Sequence, residues 1–151
     1  MIPPLNLDTG LLPPGVHACS LREAEAAFGS HNATRRARWN CLLSCLDEMR
    51  VAGLRGALHI DGSFTTDKEH PGDVEVTLDV RGQPDTTAGL AVVFYTRRHH
   101  PLKSLLAIDW YPTLSDNSDF TLFFQYVGPK TAQAKNLQEK DAKGILRIDT
   151  W

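Results

Sequence analysis

No stretch of this sequence is long and apolar enough to span a membrane: the longest apolar run, Ala88 to Tyr95, is interrupted by Gly89 and falls far short of the roughly 20 residues a spanning helix needs. No membrane partner is expected. Cysteine is scarce. Cys19, Cys41 and Cys45 leave one thiol unpaired in any disulfide scheme, and no CxxC pair exists, which argues against a disulfide scaffold and a zinc site and for reduced thiols. Cys41 and Cys45 share a helix face at their spacing of four, where packing is the commoner fate of free cysteine than metal binding. The histidines His17, His31, His59 and His70 are scattered, with no HxxxH or HExxH pattern, so none is assigned a zinc role. Positive charge is not in excess either. Sixteen basic side chains against 18 acidic give −2 with histidines neutral, without the blanket basicity of non-specific nucleic-acid binders, so any anion site must be local. The amino terminus shows no basic leader followed by an apolar core, which leaves the cytoplasm as the expected location.

What is present fits one α+β domain over residues 1–151. The first 16 residues carry Pro3, Pro4, Pro13 and Pro14 and read as an extended segment draped over the core. Ser20 and Glu23 have the spacing of a capping box before a short helix. A longer helix starts at Asn32 or Thr34 and runs through Ala52 to Gly53, with Trp39, Leu42, Leu43, Leu46 and Met49 at helical spacing. Gly56–Ile60 reads as a strand entering Asp61-Gly62-Ser63, and Asp73–Val80 alternates with strict period two. Beyond the Gly82–Pro84 turn, Asp85 or Thr86 opens a helix closed by Pro101, although Val92 and Val93 leave a strand open. Leu105–Tyr111 reads as a buried strand stopped by Pro112, and Asp119–Val127 as a short aromatic-rich element. The polar stretch 131–143 reads as a mobile loop before an edge strand at Gly144–Asp149. Two basic clusters carry competing readings. Arg97-Arg98-His99-His100 is a phosphate or RNA grip or a solvated helix end; Arg35, Arg36 and Arg38, at the helix end where the dipole disfavours them, meet a ligand or acidic partner or pack on the leading segment. Trp39, Trp110 and the aromatics of Phe120–Tyr126 read as core rather than base-stacking platforms.

The chemistry concentrates at Gly62-Ser63, a loop, and Asp73-Val74-Glu75. Period two places Asp73 and Glu75 on one strand face. Two carboxylates that close repel each other unless a cation sits between them, and hard oxygen ligands are what Mg²⁺ accepts while a nucleotide phosphate completes its shell. The small turn supplies backbone N–H groups and the Ser63 hydroxyl to that phosphate, with Gly62 allowing close approach.

This arrangement resembles the polymerase-beta-type nucleotidyltransferase superfamily, with its Gly-Ser turn followed by a paired-carboxylate strand. More closely, the chain is similar to a family of small uncharacterised bacterial proteins assigned to that fold, through Leu12-Pro13-Pro14-Gly15-Val16-His17, Asp61-Gly62-Ser63-Phe64-Thr65-Thr66-Asp67-Lys68, Phe123-Phe124-Gln125 and Lys143-Gly144-Ile145. The resemblance implies a mixed sheet flanked by helices and Mg²⁺-dependent transfer of a nucleotidyl group from an NTP, ATP among them, to a protein or RNA hydroxyl. By its pattern the third metal-binding carboxylate lies on a later strand, where Asp109 fits and Asp79 fits less well, while Lys68 neutralises phosphate charge from the loop. Glu75 stands where many members have Asp, and the loop lacks a common glycine. The short chain leaves room for a partner protein completing the site, and the superfamily's small proteins suggest a toxin–antitoxin or phage-defence setting. The rival reading is a non-catalytic interaction or nucleotide-binding module that kept the fold; a third is a phosphodiester hydrolase with water as acceptor.

Overall fold

The computed structural model describes all 151 residues. Two sequence signals set the first helices. Ser20 Oγ accepts from the Glu23 N–H (3.2 Å) while Glu23 Oε2 accepts from the Ser20 N–H (2.9 Å), a closed capping box that starts α1, Leu21–Ala24, and its continuation as a π turn over Glu25–Gly29. Asn32 Oδ1 caps the Arg35 N–H at 2.9 Å and opens α2, Ala33–Val51, which Gly53 ends at φ +77°.

The strands β1 (Gly15–Ala18), β2 (Ala57–Asp61), β3 (Val74–Asp79), β4 (Ile108–Thr113) and β5 (Gly144–Ile148) form one five-stranded mixed sheet in the order β1-β5-β2-β3-β4. The outer pairs are parallel and the two central pairings antiparallel. Alternation splits the sheet. Leu58, Ile60, Val74, Val76, Leu78, Ile108, Trp110, Leu146 and Ile148 join Trp39, Leu42, Leu46 and Met49 of α2, and Ala91 and Phe94 of α3 (Asp85–Pro101), in one buried core. The opposite face carries His59, Asp61, Glu75, Thr77, Asp79, Asp109, Tyr111 and Thr113. It is covered along β4 by α4, Phe120–Phe123: the Phe120 ring stacks on Tyr111 at 4.6 Å, and its N–H donates to Thr113 Oγ1 at 3.1 Å. The architecture is therefore α+β, helices against a mixed sheet.

Several boundaries differ from the sequence reading. The α-helical geometry of α3 ends at Pro101, but the coil does not: Leu102 still donates to Arg98 and His99, and the chain continues as a π turn over Leu102–Leu106. Ala107, left-handed at φ +54°, then turns the chain into β4, which starts at Ile108 rather than Leu105. Pro112 lies inside β4 instead of stopping it, as an edge strand permits. Strand β5 is not an edge: the proline-rich leading segment ends in β1, which pairs outside it with Gly15 opposite Gly144. The 131–143 stretch is not simply a loop. Gly128 and Pro129 start α5, Pro129–Lys135, which Asn136 ends in the left-handed conformation, with Ala132 buried beside Leu11 and Val127.

Candidate functional site

At the end of β2, Gly62 takes φ +85° and ψ −166°, a conformation that only glycine adopts without strain. A Cβ there would lie 3.2 Å from Glu75 Cγ, so this glycine lets the turn pass close over the acidic strand. Ser63–Thr65 follows as a 3₁₀ turn, with the Ser63 carbonyl accepting from Thr66 Oγ1 at 2.8 Å.

The loop from here to Gly72 is fastened to the start of α2. The buried Arg35 guanidinium donates to four carbonyls, those of Phe28 (3.1 Å), Phe64 (2.7 Å), Thr66 (2.6 Å) and Lys68 (2.6 Å). Asn32 Nδ2 reaches the Glu69 carbonyl at 2.8 Å, and Arg38 the Pro71 carbonyl at 3.3 Å. This explains the cation at an unfavourable helix end: Arg35 holds a loop, not a ligand. Lys68 contributes its backbone here, while its side chain is exposed.

The strand registers bring the carboxylates together. Asp61 on β2 stands opposite Glu75 on β3, and Asp109 on β4 flanks Glu75 from the other side. Asp73 sits just before β3, one residue outside the strand. Asp61 is almost wholly buried and forms an ion pair with Lys143 Nζ, itself buried. Burial pushes the Asp61 carboxyl up and Lys143 opposes that. Asp109 Oδ2 accepts from Lys103 Nζ at 2.7 Å, whereas its buried Oδ1 has no hydrogen-bond partner and lies 4.0 Å from His99 Nδ1. Glu75, between the two, has no counter-charge in contact. Its carboxyl is pushed up to about 7, by burial first and then by Asp61, with Asp73 and Asp109 adding and Lys143 opposing.

Asp79 does not join this group. It sits at the far end of β3 and is held by Arg81 at 2.7 Å, which also binds Asp116 and Asp119. Of the Arg97–His100 cluster, Arg98 pairs with Glu48 at 2.7 Å and His99 Nδ1 meets the Trp110 carbonyl at 3.0 Å, leaving Arg97 and His100 exposed. Trp39 and Trp110 are core, as their spacing suggests, but Phe123 is 68% exposed.

No three of the histidine, cysteine or acidic side chains converge into a preformed metal cage. The donors nonetheless suit a hard cation. They are all carboxylate oxygens, one of them orphaned and one residue without a counter-charge, on adjacent strands beside a small turn. Sequence reading missed Asp61, Lys143 and Lys103. Asp61 directly precedes the Gly-Ser pair and Lys143 opens the closing Lys-Gly-Ile segment, so both stood inside recognised stretches. Lys103 gave no signal, because its approach to Asp109 depends on the π turn.

Residues 3–149, nearly the whole chain, match a family of unknown function, DUF6932. The chain belongs to that family. No curated protein and no solved structure matches it. The DUF6932 match spans the leading segment, the Gly62-Ser63 turn, all three carboxylate-bearing strands and β5, so every part of the site described lies within the family's extent.

Proposed function

We propose that this protein is a Mg²⁺-dependent nucleotidyltransferase that moves NMP from an NTP to a protein or RNA hydroxyl. One observation carries the reading: Glu75 lies in register between Asp61 and Asp109, next to the Gly62-Ser63 turn, without a counter-charge of its own. Like charges gathered in this way destabilise an empty site and favour a bound cation. Asp73, Glu75 and Asp109 would hold Mg²⁺, which when bound neutralises phosphate charge and lowers the pKa of an attacking hydroxyl. Ser63 offers its N–H and hydroxyl to phosphate oxygens, and Gly62, without a side chain, lets them approach the turn. Arg35 keeps that turn in one conformation, so little ordering is left for the binding event. Asp109, beside Glu75 in the register, would accept the proton of the acceptor hydroxyl. Lys68, exposed on the loop, supplies a mobile charge to the outer phosphates. A partner protein completing the site, a toxin–antitoxin or phage-defence setting and a cytoplasmic location belong to the same proposal.

A second reading, the non-catalytic nucleotide-binding or interaction module, is favoured by the Lys103 ammonium on Asp109, a cation of the protein's own where the first reading needs a metal ion. The two separate in one assay. Incubation with α-phosphate-labelled NTPs, Mg²⁺ and total RNA or protein should label an acceptor, and Asp109→Asn should not. NTP binding without transfer to any acceptor or to water supports the module.

A further inference from the structure

The two lysines of the acidic row differ in their freedom to leave it. Lys143 is sealed with Asp61, their side chains 7% and 3% exposed; removing either strands a buried charge. Lys103 is 53% exposed while the Asp109 carboxylate it holds is 12% exposed. Its ammonium can therefore return to water at small cost, whereas Asp109, buried and in contact with no other lysine or arginine, is costly to leave without a replacement cation. The π turn that carries Lys103 lies between α3 and the left-handed Ala107, at the same end of the sheet as Asp73 and the Gly62-Ser63 turn.

We propose that Lys103 is a shared counter-ion: it neutralises Asp109 in the free protein and transfers to the phosphates of a bound nucleotide when a divalent cation is held by Glu75 and Asp109. This rests on the reading of the row as a metal and nucleotide site and adds its regulation. Metal alone breaks the Lys103–Asp109 ion pair and gives the lysine only water in exchange, and nucleotide alone finds that lysine engaged. Together each releases what the other needs, so their binding is coupled.

The test is a Mn²⁺ titration by electron paramagnetic resonance, with and without a non-hydrolysable ATP analogue, on the full chain and its variants. Wild type should bind Mn²⁺ about tenfold more tightly with the analogue, within the usual range of coupling between sites. Lys103→Met should bind Mn²⁺ alone about tenfold more tightly than wild type and gain little from the analogue. Lys103→Arg, which keeps the charge, should behave as wild type. Lys103→Gln repeats the contrast with a polar side chain should the methionine variant fold poorly. If Lys103→Met binds Mn²⁺ no better than wild type, or keeps the full coupling, while Asp109→Asn abolishes binding, the shared counter-ion is wrong and the site stands. If no protein binds Mn²⁺ with or without the analogue, both readings fall.

Discussion

Asp61 and Glu75 stand directly opposite each other on antiparallel strands, and only Asp61 has a lysine in contact. Lys143 reaches it from the residue before β5, so two segments far apart in sequence are joined beneath the Gly62-Ser63 turn. Glu75 is left to share its surroundings with Asp61, Asp73 and Asp109. The charge imbalance at one side chain therefore follows from the pairing of its neighbours.

The pH dependence of stability should expose this. Glu75 holds its proton to about pH 7 in the folded protein, while the unfolded chain releases it near the ordinary value of 4.5. Between those values the folded state binds more protons, so stability falls as pH rises and levels off above about 7. Glu75→Gln removes that slope. In urea denaturation with chelator present, the variant should match wild type near pH 5 and exceed it by about 2–3 kcal/mol near pH 8. An equal difference at both pH values contradicts the assignment.

Arg35→Met should be among the most damaging single changes on α2. It leaves the carbonyls of Phe28, Phe64, Thr66 and Lys68 without their donor, at a cost of about 3 kcal/mol or more. Hydrogen exchange should show the 62–72 loop losing protection before the sheet does. Uniform loss across the chain, with the loop no worse than β2, would count against a loop-fastening role.

Lys143→Met should destabilise by about 3–5 kcal/mol, because Asp61 remains buried and alone. Asp61→Asn in the same chain should recover much of that loss, since the stranded charge is gone. A double-mutant cycle by chemical denaturation measures the coupling, and additive effects of the two changes would show that the pair does not act as one.

Most of the framework was legible because its signals are local. The capping box at Ser20, the Asn32 cap, the Gly53 stop and the period-two alternation of β3 each need only a few neighbouring residues. What was not legible depends on tertiary placement. Strand β5 reads as an edge until the proline-rich segment ends in a strand and pairs with it. The loop reading of 131–143 misses α5, whose buried anchor is Ala132, because a short polar helix has almost no apolar periodicity. The site divides in the same way. Glu75 and Asp109 share a register position, Asp73 falls just outside the strand, and the lysines that set the charge balance come from the residue before β5 and from a π turn.

Gly62→Ala tests whether the turn's geometry matters. The substitution adds a methyl group at φ +85° and 3.2 Å from Glu75 Cγ, so it should cost about 1–3 kcal/mol in thermal or urea unfolding and weaken nucleotide binding through the displaced turn. Wild-type stability and affinity would mean the turn relaxes freely.

Isothermal titration of the four NTPs, with and without Mg²⁺, against wild type and Asp73→Asn probes the metal and nucleotide site itself. At least one NTP should bind wild type only with Mg²⁺, and Asp73→Asn, still folded, should lose that binding. Mg²⁺-independent binding, or equal binding by the variant, would contradict a carboxylate-held metal and nucleotide site.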